Sequence, residues 1–188
     1  YANSLVEKYK KEPSGGKLQE KKHWLNDDYV KFIAMAEDLI EKNQTGILAF
    51  INNHSYIDNP TFRGMRYHLL NTFDDIYVVD LHGNTKKMEK SPYGSKDENV
   101  FDIQQGVSIN LFVKNGHNRK GDLAKVYHFD LYGMRENKFN FLKNHNFDEI
   151  KFKLVKYSKP YLFFYPKNET GLSKYHEGFN VKELFSKN

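Results

Sequence analysis

The sequence predicts an α/β fold built on a mixed sheet, and three observations predict it. The amphipathic stretch DDYVKFIAMAEDLIEKNQTG runs straight into a short apolar segment, GILAFINN. The same succession recurs as NPTFRGMRYHLLNTF followed by DDIYVVDLHGN. The stretch VSINLFVKNGHNRKGDLAKVYHFDL then breaks that rhythm, placing apolar residues at alternate positions and a Gly- and Asn-rich turn between two extended arms. Helix followed by a short continuous apolar run is the pattern of parallel strands covered by helices, whereas strict alternation marks antiparallel pairing.

Taken in order, residues 1–26 form a polar stretch with a lysine run and Pro13, Ser14, Gly15 and Gly16, and a mobile loop is expected there. Its GGK is no phosphate loop, because the first glycine of that pattern is missing and Leu18 stands where Ser or Thr is needed. Tyr29, Phe32, Ile33, Ala36, Leu39 and Ile40 recur at helical spacing, with acids at the start of the segment and Gly46 after its end. GILAFINN then reads as a strand buried on both faces. Pro60 suits a first helical turn, and Phe62, Met65, Leu69 and Leu70 form the stripe of a second helix. The strand DDIYVVD ends at Gly83, and two strands joined through one helix imply a right-handed crossover with parallel pairing. Val107, Ile109, Leu111 and Val113 give the alternation of a β-hairpin arm. Beyond it a helix is expected near 135–142, with strands at EIKFKLV and PYLFFYP.

The chain has 188 residues, which suits one main domain. It contains no cysteine, so disulfides and thiolate metal sites are excluded and an intracellular, cytoplasmic life is expected. Its apolar runs are far shorter than the roughly 20 residues of a membrane span, and no secretory leader is visible, so no membrane partner is expected. A formal charge of +5 with pI near 9.1 is only a weak pointer to nucleic acid, since clustering of the basic residues matters more than their sum. The histidines show no paired H-x-x-x-H spacing, so no metal site is expected.

The blocks DDYVKFIAMAEDLI, GILAFINNHSYIDNPTFRGMR, IYVVDLHGN, NVFDIQQGVSINLFVK and KVYHFDLYGMRENKFNFL, in this order, resemble the adenine-N6 DNA methyltransferase region of restriction-modification enzymes. The resemblance is strongest to the single-polypeptide type, in which nuclease, translocase, methylase and target-recognition parts are fused. It covers most of residues 27–142 and continues more weakly through KPYLFFYPK and GFNVKELF. It implies the distal half of a Rossmann-like class I methyltransferase sheet, with strands five, seven and six of the family order and the antiparallel strand between two parallel ones. Residues 1–142 would be a partial catalytic domain, and 143–188 an extension leading toward a target-recognition module.

The resemblance also assigns roles. Tyr1 would stand as the last aromatic of an Asn-Pro-Pro-Tyr motif and form one face of the pocket for a flipped adenine. The glycine-rich loop for S-adenosylmethionine would then lie upstream, in a missing amino-terminal half, with no cofactor-binding residue in this chain. The chemistry needs acceptors on the adenine amine and an in-line methyl donor, which is preorganised electrostatics and requires no metal. The base must leave the duplex, at a cost of a few kcal/mol that stacking on an aromatic partly offsets. Phe101 is the candidate for the second aromatic, with Ile103 as its rival; the plain alternative is a phenylalanine capping the core at a strand entrance. Asn53, His54 and Ser55 sit where a cleft opens at the carboxyl ends of parallel strands, and either touch substrate or satisfy local backbone groups. Lys86 and Lys87 in GNTKKMEK, with Arg63, Arg66, Lys90, Arg119 and Lys120, are the candidates for contact with duplex DNA. Two other readings are a methyltransferase of the same fold acting on RNA or protein glutamine, and a non-catalytic DNA-binding fragment.

Overall fold

The computed structural model describes residues 1–20, 23–92, 94–117, 121–168, 171 and 177–178. Arg119, Lys120 and the GFNVKELF block fall outside the described residues, apart from Gly178.

A five-stranded sheet organises the chain in the order β1-β3-β2-β4-β5. Its strands are β1 (Gly46–Asn53), β2 (Asp75–Asp80), β3 (Val107–Lys114), β4 (Lys125–Asp130) and β5 (Lys153–Leu154). β3 runs antiparallel between β1 and β2, β4 is parallel to β2, and β5 is antiparallel to β4. β1 and β2 therefore point the same way, as the intervening helix requires, but they do not pair: β3 is inserted between them. The second arm of the expected hairpin crosses to the far side of β2 and becomes β4, so β3 and β4 do not pair either. The result is a mixed, Rossmann-like α/β fold.

Helices α1 (Ala2–Val6), α2 (Asp28–Asn43), α3 (Ser55–Asp58) and α4 (Arg63–Thr72) contribute to the main core with one face of the sheet, and α5 (Arg135–Asn144) covers the other. The α4 stripe is as expected, with Phe62, Met65, Leu69 and Leu70 buried. The α2 stripe is rotated from the expected one: Val30, Ile33, Ala34, Glu37 and Ile40 face inward, while Phe32, Met35 and Leu39 face out. β1 is an edge strand rather than one buried on both faces, and Ile47 and Ile51 are exposed. Its inward residues Leu48 and Phe50 still pack on the main core.

The described residues of 1–26 carry α1 and two 3-10 turns instead of a bare loop, and Val6, Tyr9, Leu18 and Leu25 enter the core. Tyr9 and Thr72 donate to the buried carboxylate of Glu37 at 2.7 and 2.8 Å, tying this segment to both α2 and α4. The segment crosses α4 at Gly64, where a Cβ would stand 2.3 Å from the Tyr9 carbonyl oxygen, so only glycine admits the crossing. The described residues beyond 142 share the same body: β5 pairs with β4, Leu162 and Phe164 join the main core, and Phe152 packs in the second cluster. PYLFFYP forms no strand, because the Tyr161 carbonyl is taken by Arg66 and the Phe164 amide by Ile57.

Candidate functional site

β1, β2 and β4 end side by side at Asn53, Asp80 and Asp130, and antiparallel β3 starts there at Val107. Ligand clefts of α/β sheets open outside such carboxyl ends. Two cavities lie there, of about 280 and about 260 Å³. Lys87, which lines the first, is ion-paired at 2.8 Å with Asp58, which lines the second.

The first cavity has aromatic walls from Trp24, Tyr29 and Phe62, and a rim of Asn53, Asn59, Asn84, Gln105, Lys86 and Lys87. Trp24 is half exposed. The Tyr29 hydroxyl is buried with no hydrogen-bond partner among the described residues. Burial, and then the Asp27 charge, hold this phenol far above its ordinary pKa, so it keeps its proton and remains a donor. A buried unsatisfied hydroxyl costs about 1–3 kcal/mol, which a polar ligand atom would recover. Asn53 serves the local backbone as well as the cavity: its Oδ1 accepts from the Ser55 amide and hydroxyl at 2.9 and 2.7 Å, fixing the turn into α3.

The second cavity is lined by His54, Asp80, His82, Glu89, His128 and Asp130, together with Asp58 and Lys90. His54 Nδ1 meets Asp80 Oδ1 at 2.9 Å, and His82 Nε2 meets Asp130 Oδ1 at 2.9 Å. Burial acts to raise the Asp80 and Asp130 pKa values, but the histidine hydrogen bonds and charges outweigh it and leave both below the ordinary carboxylate value. For His82 burial opposes the charge, yet the Asp130 hydrogen bond and the nearby carboxylates prevail and raise its pKa. The cavity is thus a place that favours positive charge. Gly106 is required here, since a Cβ would lie 2.5 Å from His54 Nε2.

Of the residues expected from the sequence, Asn53, His54, Lys86 and Lys87 converge on this end of the sheet. Phe101 and Ile103 lie beside it on an open pocket shared with Thr85, Gln104 and Arg135, and Phe101 is 44% exposed, so it does not cap the core. Three expectations are corrected. Tyr1 is exposed and bonds Asp38 and Lys42 in the second half of α2. α2 turns into β1 through Gln44 and Thr45, so Tyr1 sits toward the amino-terminal end of β1, away from the cleft. Arg63 is clamped by Glu12 and Glu20, and fully buried Arg66 donates to the carbonyls of Tyr56, Asn59 and Tyr161; neither guanidinium is available to DNA phosphates. The histidine cluster was invisible in the sequence because its members come from three separate strand ends.

The fold and this cleft define a mixed α/β chain whose candidate site lies at the carboxyl ends of its parallel strands. No protein-family model matches the sequence, and no curated protein matches it. Three solved structures are similar. One is a DrdV–DNA complex determined by cryo-electron microscopy, with 26% identity, a TM-score of 0.71, and coverage of 89% of this chain and 16% of that one. The second is the ATP-dependent Type ISP restriction-modification enzyme LlaBIII bound to DNA, with 25% identity, a TM-score of 0.72, and coverage of 89% and 11%. The third, a nuclease-deletion mutant of the Type ISP enzyme LlaGI with a DNA substrate mimic, shares the fold at 21% identity and a TM-score of 0.71, with coverage of 91% and 13%. The chain therefore spans between 11% and 16% of the length of these proteins. Among the described residues no helix is long and apolar enough to cross a membrane.

Proposed function

We propose that this chain is part of a restriction-modification enzyme that binds duplex DNA, and that it contributes the distal half of a domain transferring methyl from S-adenosylmethionine to adenine N6. The observation that carries the reading is the aromatic and amide-lined cavity at the ends of β1 and β2. Trp24 offers a face on which an extrahelical base stacks, the amides offer donors and acceptors for a base edge, and Lys86 reaches outward for phosphate. The similarity to a Type ISP restriction-modification enzyme bound to DNA and to a DrdV–DNA complex supports the restriction-modification and DNA-binding part of the reading.

The glycine-rich cofactor loop and the Asn-Pro-Pro acceptors would come from sequence outside these 188 residues. The free edge of β1 offers unpaired backbone groups to the remainder of the sheet, with Ile47 and Ile51 exposed on one face of that strand and Phe32, Met35 and Leu39 exposed on α2 at the other. The residues after Tyr165, the last described residue that packs on the main core, would lead toward the module that reads the DNA sequence.

The test is a titration of S-adenosylmethionine into this chain and into a form extended upstream by about 200 residues, ample for half a domain. Micromolar binding by the longer form and none by the shorter is expected; tight binding by the shorter one refutes the division of the site. Transfer of labelled methyl by the longer form to duplex DNA is expected, and labelling of RNA or protein in its place would replace the substrate assignment.

A further inference from the structure

We infer that His54, His82 and Glu89 form a binding site for a first-row divalent cation of the zinc type at the carboxyl ends of β1 and β2. One nitrogen from each imidazole and one oxygen from Glu89 all lie within 4.8 Å of one another. Zinc bonds of about 2.0–2.2 Å place tetrahedral ligands roughly 3.3–3.5 Å apart, so side-chain shifts of about 1 Å close the site.

Three features distinguish this cluster from a chance meeting of polar groups. Both histidines are buried, His54 at 4% and His82 at 8% exposure, while Glu89 is half-buried. Each ring is held through one nitrogen by a carboxylate, His54 Nδ1 by Asp80 and His82 Nε2 by Asp130. This is the outer-shell arrangement that fixes a metal-binding imidazole and leaves the other nitrogen to the cation: Nε2 of His54, and Nδ1 of His82, which stands 3.7 Å from Asp80 Oδ2. The Asn84 side-chain nitrogen, Nδ2, stands 3.4 Å from His54 Nε2, a long contact that a metal bond replaces. Finally, Asp58, Asp80, Glu89 and Asp130 face the cavity against Lys90, and Lys87 already pairs with Asp58. The carboxylates of this lining outnumber its lysines, which disfavours phosphate and attracts a cation.

Two nitrogens and one carboxylate suit zinc or a neighbouring first-row ion over magnesium or calcium, which prefer oxygen alone. Three protein ligands leave a fourth position for water or a ligand oxygen. The ion would link the strand end at His54 to the loop carrying His82 and Glu89, on the wall adjoining the aromatic cavity. The site is independent of the methyl-transfer reading and stands or falls by its own measurement.

The experiment uses metal-depleted 188-residue chain titrated with zinc chloride in a calorimeter and with cobalt chloride by visible absorption. One equivalent should bind, with cobalt bands of a four- or five-coordinate site. His82→Ala should abolish that equivalent. Glu89→Gln, which keeps an acceptor for the Asn84 backbone N–H that now donates to Glu89 at 2.9 Å, should do so without loss of fold by circular dichroism. Asp130→Asn should weaken zinc by roughly 10–100-fold. A variant replacing the exposed His23, His117 and His145 should bind as before. Absence of stoichiometric binding, binding that survives Glu89→Gln, or loss of binding in the surface-histidine variant would each overturn the assignment.

Discussion

The Tyr9 hydroxyl donates to Glu37 at 2.7 Å inside the core, where neither side chain reaches solvent. That carboxylate also accepts from Thr72 and pairs with Lys8, so one acid on α2 organises polar groups from the amino-terminal segment and from α4. Tyr9→Phe removes a hydrogen bond to an ionisable group and should cost about 1.5–3 kcal/mol. Glu37→Leu strands all its partners at once and should cost about 3–5 kcal/mol. Urea unfolding measures both, and in Tyr9→Phe the first twenty residues should become the preferred site of limited proteolysis.

The buried arginines yield the opposite of what a DNA-contact role predicts. Arg66→Lys keeps the charge but loses the planar fork that reaches three carbonyls, so about 2–3 kcal/mol of stability should go while DNA affinity and its salt dependence stay unchanged in the folded fraction. At Arg63 the hydrogen bond to Glu20 leads the causes that hold the Glu20 pKa below its ordinary 4.5. A depressed folded-state value stabilises above the unfolded value and is lost as pH falls through the folded one. Arg63→Gln should therefore cost most near neutrality, and its penalty in thermal melts should shrink below about pH 4.5. A penalty that grows with acid would refute the clamp.

The succession of helices and strands was readable because periodicity is a local property: Phe62, Met65, Leu69 and Leu70 lie on one helical face whatever surrounds them. The insertion of β3 between two parallel strands was reached through resemblance, since alternation of Val107, Ile109 and Leu111 says only that a strand has two faces. Asn110 shows how far that signal falls short. It is fully buried, accepting from Tyr56 and donating to Asn52, on the face that alternation alone marks as polar. The amino-terminal segment is not legible in the sequence because Val6, Tyr9, Leu18 and Leu25 carry no period, and their burial is decided by α2 and α4. The histidine–carboxylate cluster is tertiary in the same sense: positions 54, 82 and 128 become neighbours only when the sheet forms.

The aromatic cavity separates stability from binding at Tyr29. Tyr29→Phe removes a buried hydroxyl that has no partner, so stability should hold or rise by up to about 1 kcal/mol. If a base occupies the cavity, the same change should weaken binding of DNA containing an unpaired adenine. Trp24→Ala should weaken it by about 1–3 kcal/mol through lost stacking. Lys86→Ala should lower the salt slope of DNA binding by about one, as loss of one phosphate contact requires. Lys87→Ala should lower it less, because Asp58 already neutralises that ammonium. Fluorescence anisotropy across a salt series reads all four.

The surroundings of Phe101 and Ile103 make their two roles separable by measurement. Both side chains are exposed on the same open pocket, so neither truncation leaves a core cavity and both variants should fold like the parent. The backbone around Phe101 is fixed independently of its ring, by the Asn99 side chain on its amide and Arg135 on its carbonyl. A loss on truncation therefore reports the ring itself. In the upstream-extended form, Phe101→Ala should reduce the fluorescence of 2-aminopurine placed at the target adenine while leaving S-adenosylmethionine affinity unchanged. If Ile103→Ala has that effect and Phe101→Ala does not, the second face of the base belongs to Ile103. The loop from 99 to 106 would then meet DNA two residues further along than the resemblance implies.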